Sequence, residues 1–116
     1  ARAKFNQLIA YGDAHAQRVV EQLDTAQHQP DWGAWLPWLD MLSMQHHSTI
    51  DVSKLGNTLL IYGDEDIIVD AKQGSLISKR SNKARLELWQ DCAHAPHLHD
   101  AARLKDMIKD YTGHAL

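Results

Sequence analysis

The sequence predicts an α/β fold in which two parallel strands are flanked by helices. Three observations carry that expectation. Thr58-Leu59-Leu60-Ile61-Tyr62 is a continuous apolar run, the pattern of a strand covered on both faces. Ala84 to Trp89 alternates, with Ala84, Leu86 and Leu88 on one side and Arg85 and Glu87 on the other, as a strand exposed on one face does. A helical segment lies between the two runs, so they form a strand-helix-strand unit, which makes the strands parallel with a right-handed crossover.

The elements follow in order. Phe5, Leu8 and Ile9 recur at helical spacing over residues 3–11. Gly12-Asp13 breaks that helix, and Asp13 is suited to cap a second one, with Ala16, Val19, Val20 and Leu23 on one face. Residues 27–30 are a polar connector. Asp31 then opens a third segment, apolar at Trp32, Trp35, Leu36, Leu39 and Leu42. Pro37 ends or kinks that helix, or sits in a fresh first turn after Gly33. Residues 46–49 are a polar loop, 51–55 a short turn, and Gly56-Asn57 punctuates the chain before the first strand. A helix is expected over 70–78, ended by the polar stretch 78–83. The last helix spans 100–111, with Leu104, Met107, Ile108 and Tyr111 inward and Gly113 closing it. Two parallel strands make a poor sheet on their own, so further neighbours are expected.

The 116 residues fit one domain or part of a larger one. A hydrophobic fraction of 44% and a charged fraction of 23% are ordinary for a globular protein. The net charge of −3, with both signs interspersed, argues against a nucleic-acid partner. The apolar runs are too short to span a bilayer. The single cysteine, Cys92, has no internal disulfide partner, which fits a reducing, cytoplasmic setting. Ala1-Arg2-Ala3-Lys4-Phe5 runs straight into a helical pattern, as expected of a segment cut from inside a longer protein.

The residues with chemical interest are Asp66, in Tyr62-Gly63-Asp64-Glu65-Asp66, and His94, in Cys92-Ala93-His94-Ala95-Pro96. Each follows a strand, and ligands of open parallel sheets gather at that carboxyl edge. An acid that orients an imidazole is two thirds of a Ser-His-Asp arrangement. The third member belongs on a Gly-x-Ser-x-Gly turn, which these residues do not contain. The plainer alternative is a turn aspartate and a solvated histidine. Cys92, His94, His97 and His99 are zinc-ligand types at close spacing, but the spacing matches no standard structural site. Cys92 as a nucleophile is disfavoured, because in an extended turn its side chain and that of His94 do not readily converge.

Leu60-Ile61-Tyr62-Gly63-Asp64-Glu65-Asp66-Ile67-Ile68-Val69 and Ala93-His94-Ala95-Pro96 resemble the last third of an α/β-hydrolase. Members of that superfamily carry a strand ending in Gly-x-x-Asp and a histidine in a Gly/Ala-His-x-Pro turn before the last helix. Within it, the chain is most similar to the pimeloyl-[acyl-carrier protein] methyl ester esterases of biotin synthesis. The likeness covers residues 58–111 well and residues 5–42 more weakly. It implies the C-terminal part of an α/β-hydrolase fold preceded by lid helices, with 1–50 a lid portion and 51–116 the strand-helix-strand-helix portion of the core. It implies a serine carboxylesterase without a cofactor, acting on a small acyl ester or one linked to an acyl carrier protein. Asp66 matches the triad acid, ahead of its rival Asp64, and His94 the general base. The serine and the oxyanion amides would lie in a missing N-terminal half. Trp32, Trp35 and Trp38 would sit on the lid, either walling an acyl chain or packing on the body of the domain. Arg2, Lys4 and Arg18 offer only a thin basic surface to an acidic carrier. Asn57 stands where a proline often precedes the first strand. The competing expectation is an inert fragment that buries its sheet edge against a second copy of itself.

Overall fold

The apolar runs at 58–62 and 84–89 pair as expected. The structure, a computed structural model, describes residues 2–25, 34, 36–38, 40, 41 and 51–113. In chain order the elements are α1 (Arg2–Ala10), α2 (Ala16–Thr25), a 3-10 turn (Val52–Lys54), β1 (Thr58–Gly63), α3 (Lys72–Arg80), β2 (Ala84–Trp89), a single turn α4 (Pro96–His99) and α5 (Ala101–Thr112). Residues 34, 36–38, 40 and 41, within the expected third helix, are helical too. The class is mixed α/β, and β1 and β2 run parallel in register from Thr58 opposite Ala84 to Gly63 opposite Trp89.

Alternation along the strands divides the sheet into two faces. Tyr62 and Leu86 meet α3, which seats closely because Gly74 has no side chain: a Cβ there would lie 2.8 Å from both. The opposite face ends in Trp89, fully buried, with the Arg103 guanidinium of α5 4.3 Å from its ring centre. That is cation–π distance. β1 departs from expectation: Thr58 to Tyr62 are half-buried rather than covered on both faces. Among the described residues the sheet holds only these two strands, so the far edge of β1 has no described neighbour.

Helix ends differ slightly from the pattern. Asp70 accepts the Lys72 N–H at 2.9 Å, starting α3 late. Lys79 and Arg80 extend it past Ser78, where cations complement the carbonyl end of a helix. In α5, Asp100 accepts the Arg103 N–H at 3.0 Å and Gly113 closes the helix at φ 72°.

A small core of Ala10, Val19 and Ala95, with Ile9, Ala16, Val20, Leu23 and Leu98 against it, joins the α1–α2 hairpin to the segment around α4. It crosses the boundary between residues 1–50 and 51–116. The chain reverses between α1 and α2 at Gly12, whose φ of 85° suits glycine. Among the described residues no helix is long and apolar enough to cross a membrane.

Candidate active site

β1 ends at Gly63, and the next three residues turn back across the carboxyl edge of the sheet. Asp66 closes that turn on itself. Its Oδ1 accepts the N–H groups of Ile68 and Val69, both at 2.9 Å, so the carboxylate is oriented by its own backbone. Its Oδ2 lies 2.8 Å from His94 Nδ1. The Asp66 side chain is 6% exposed and that of His94 35%. A carboxylate can only accept, so Nδ1 carries the hydrogen and Nε2 is the nitrogen left free of this contact, with a lone pair in the neutral ring. Asp64, the other aspartate of the turn, is exposed; the histidine faces Asp66.

Two loops must approach closely for this contact, and the approach is built into the backbone. The Asp64 N–H donates to Trp89 O and the Glu65 N–H to Cys92 O, each at 2.9 Å. Gly63 permits this, because a Cβ there would stand 2.2 Å from the carbonyl oxygens of Cys92 and Ala93. Glycine in the Tyr-Gly dipeptide is therefore a requirement of space. Beyond β2, Asp91 takes the left-handed conformation at φ 55°, and its carbonyl accepts the Ala14 N–H at 2.8 Å. The His94 N–H in turn donates to Ile9 O at 3.0 Å.

A second acid–histidine pair lies behind the first and had no counterpart in the sequence reading. Asp13 Oδ1 is 2.8 Å from His99 Nδ1 and also accepts the His15 N–H at 2.8 Å. Its Oδ2 accepts the Ala93 N–H at 2.9 Å. The Asp13 side chain is 1% exposed and that of His99 11%. Burial alone would raise the Asp13 pKa, but the hydrogen bonds from Ala93, His99 and His15 outweigh it and hold the carboxyl below its ordinary value. Asp13 is thus not the simple cap expected of it. Helix α2 starts only at Ala16, and the carboxylate ties three chain segments together. The only foreshadowing in sequence is that Gly12-Asp13 breaks a helix.

Cys92 stands beside this pair. Its ligand atom and those of Asp13 and His99 lie within 4.8 Å of one another. Tetrahedral zinc would spread an oxygen and a nitrogen ligand to about 3.3 Å, whereas Asp13 and His99 stand at hydrogen-bonding distance. Of the four residues with zinc-ligand character in the sequence, Cys92 and His99 come together, while His94 turns to Asp66. Burial, followed by the negative charges of Asp13 and Asp64, pushes the Cys92 thiol up to about 12, the opposite of an activated nucleophile. Trp32 and Trp35 lie outside the described residues; Trp38 is 61% exposed.

The arrangement defines a chemical class: an α/β chain that holds a carboxylate-oriented imidazole, able to exchange a proton, at the carboxyl edge of a parallel strand pair. No protein-family model matches the chain, and no curated protein matches it.

Proposed function

We propose that this chain supplies the acid and the base of a serine carboxylesterase of α/β-hydrolase type. The observation that supports it is the 2.8 Å contact between Asp66 Oδ2 and His94 Nδ1, made by residues that follow successive parallel strands. In this reading the nucleophile is a serine on a Gly-x-Ser-x-Gly turn outside the 116 residues. His94 Nε2 takes the serine proton as Oγ attacks the ester carbonyl. The imidazolium, paired with Asp66, then protonates the departing alkoxide, leaving an acyl-serine. Water attacks that ester, losing a proton to His94; the imidazolium returns it to the serine Oγ as the acyl–Oγ bond breaks, and the acid product leaves. Asp66 holds the tautomer and stabilises the imidazolium throughout. The resemblance of 58–69 and 93–96 favours an acyl ester, with a pimeloyl-carrier-protein methyl ester as the most specific form. The lone cysteine fits a cytoplasmic setting.

A second reading, an inert self-associating module, is favoured by the exposed Ile67, Ile68, Val69, Leu76 and Leu88. One experiment separates the two. The complete encoded polypeptide and this chain alone are each given p-nitrophenyl acetate. Esterase activity is expected only of the complete polypeptide, and only with His94 intact. Turnover by this chain alone, or undiminished turnover by a complete His94→Ala variant, contradicts the assignment.

A further inference from the structure

The buried Asp13 does more than its local position requires. Asp66 is oriented by its own turn, but His94 has no such local device. Its loop is fastened from outside, by Ile9 O on the His94 N–H and by Asp13 Oδ2 on the Ala93 N–H, the residue immediately before it. Asp13 is held in turn by His99 Nδ1 and the His15 N–H on its other oxygen. The Arg18 guanidinium donates to His99 O and, at 3.4 Å, to Leu98 O, so α2 grips the turn that carries His99. Apart from the His15 N–H bond, which fixes Asp13 within its own turn, these contacts end on the short stretch bearing His94 or on the turn that follows it.

We propose that Asp13 is a positioning residue for His94, with His99 as its partner. The inference rests on the reading of Asp66 and His94 as the acid–base pair of an esterase. The Asp13 carboxylate offers acceptors on both oxygens to three donors, which no neutral side chain of its shape can do. In Asp13→Asn, one orientation of the amide sets its NH2 against the Ala93 N–H and the other against the His15 N–H. The first displaces Ala93 directly; the second loosens the turn that holds Asp13 there. Either way the imidazole moves, and a displacement near 1 Å costs on the order of 100-fold in rate.

The test uses the complete polypeptide and p-nitrophenyl acetate, with kcat taken per folded molecule as measured by near-ultraviolet circular dichroism. Asp13→Asn is expected to lower kcat about 10- to 100-fold with KM within about twofold. His99→Leu, which removes one donor without touching Asp13, is expected to lower kcat several-fold, and His99→Gln, which restores a donor, to recover most of it. A role confined to stability would lower the folded fraction and leave kcat per folded molecule unchanged. That result in both Asp13→Asn and His99→Leu, with His94→Ala inactive, overturns the inference and leaves the esterase reading standing. Full activity in His94→Ala overturns the esterase reading itself. If Asp13→Asn does not fold, the contrast between His99→Leu and His99→Gln decides.

Discussion

Replacing Gly63 by alanine tests the geometry of the site at its tightest point. A Cβ at this position would stand 2.2 Å from the carbonyl oxygens of Cys92 and Ala93 and 2.6 Å from the Cys92 carbonyl carbon. These are backbone atoms, so no rotamer change relieves the overlap. Separating them to the shortest contact that real Cβ atoms make requires the two loops to part by about 0.8 Å, in a region packed too tightly to absorb it. That movement stretches the Glu65 N–H to Cys92 O bond from 2.9 Å and the Asp66 to His94 contact from 2.8 Å, both beyond useful length. Overpacking at about 1–3 kcal/mol plus two lost hydrogen bonds at about 0.5–1.5 kcal/mol each costs about 2–6 kcal/mol, which at about 4 °C per kcal/mol lowers the melting temperature by about 8–24 °C. The displaced imidazole lowers ester turnover on the order of 100-fold. Gly56→Ala is the matched control, since nothing lies within 4 Å of a Cβ there. Both variants are compared by thermal melting and by p-nitrophenyl acetate hydrolysis in the complete polypeptide. A Gly63→Ala protein that melts within about 2 °C of the parent and keeps more than about half its turnover would refute the steric argument.

Other outcomes follow from the same structure. In the complete polypeptide, Asp66→Asn is expected to lower ester turnover by about 10⁴-fold and His94→Ala by about 10⁶-fold; turnover within tenfold of the parent in either would sink the assignment. Cys92, buried with its pKa at about 12, is expected to react with a thiol reagent near pH 8 at least about 1000-fold more slowly than a free cysteine. Denaturant should abolish that protection, and rapid labelling of the native chain would contradict it. Asp13 has a lowered folded pKa, so its stabilisation is present above the unfolded value of 3.8 and lost as pH falls through the folded value. Urea titrations should therefore show the stability gap between parent and Asp13→Asn narrowing on acidification, whereas a gap independent of pH would count against the charge-based account.

The strand-helix-strand order was legible because each element is announced locally, by a continuous apolar run, an alternating run and the punctuation between them. Parallel pairing then follows from topology, and it carries Asp66 and His94 to one edge although they are 28 residues apart. The Asp13–His99 pair was not legible. Its members are separated by 86 positions, and neither sits in a pattern that demands the other. Asp13 reads as an ordinary cap after a glycine, and His99 as one of 8 histidines. The half-burial of β1 was misjudged for a related reason: a continuous apolar run reports what the strand can bury, not which neighbours cover it.

The two members of the candidate site differ in what determines them. Asp66 is fixed by residues within three positions of itself, through the Ile68 and Val69 N–H groups. Its orientation should survive changes elsewhere in the fold. His94 is fixed by residues about 80 positions away, Ile9 directly and Asp13 through Ala93. The orientation of its imidazole is therefore a property of tertiary packing, set by how the α1–α2 hairpin seats on the loop after β2. A perturbation confined to the core contacts of Val19 or Ala10 would move the histidine away from a carboxylate that stays in place. The Asp66–His94 distance thus measures the docking of the hairpin, and activity and hairpin docking should be lost together.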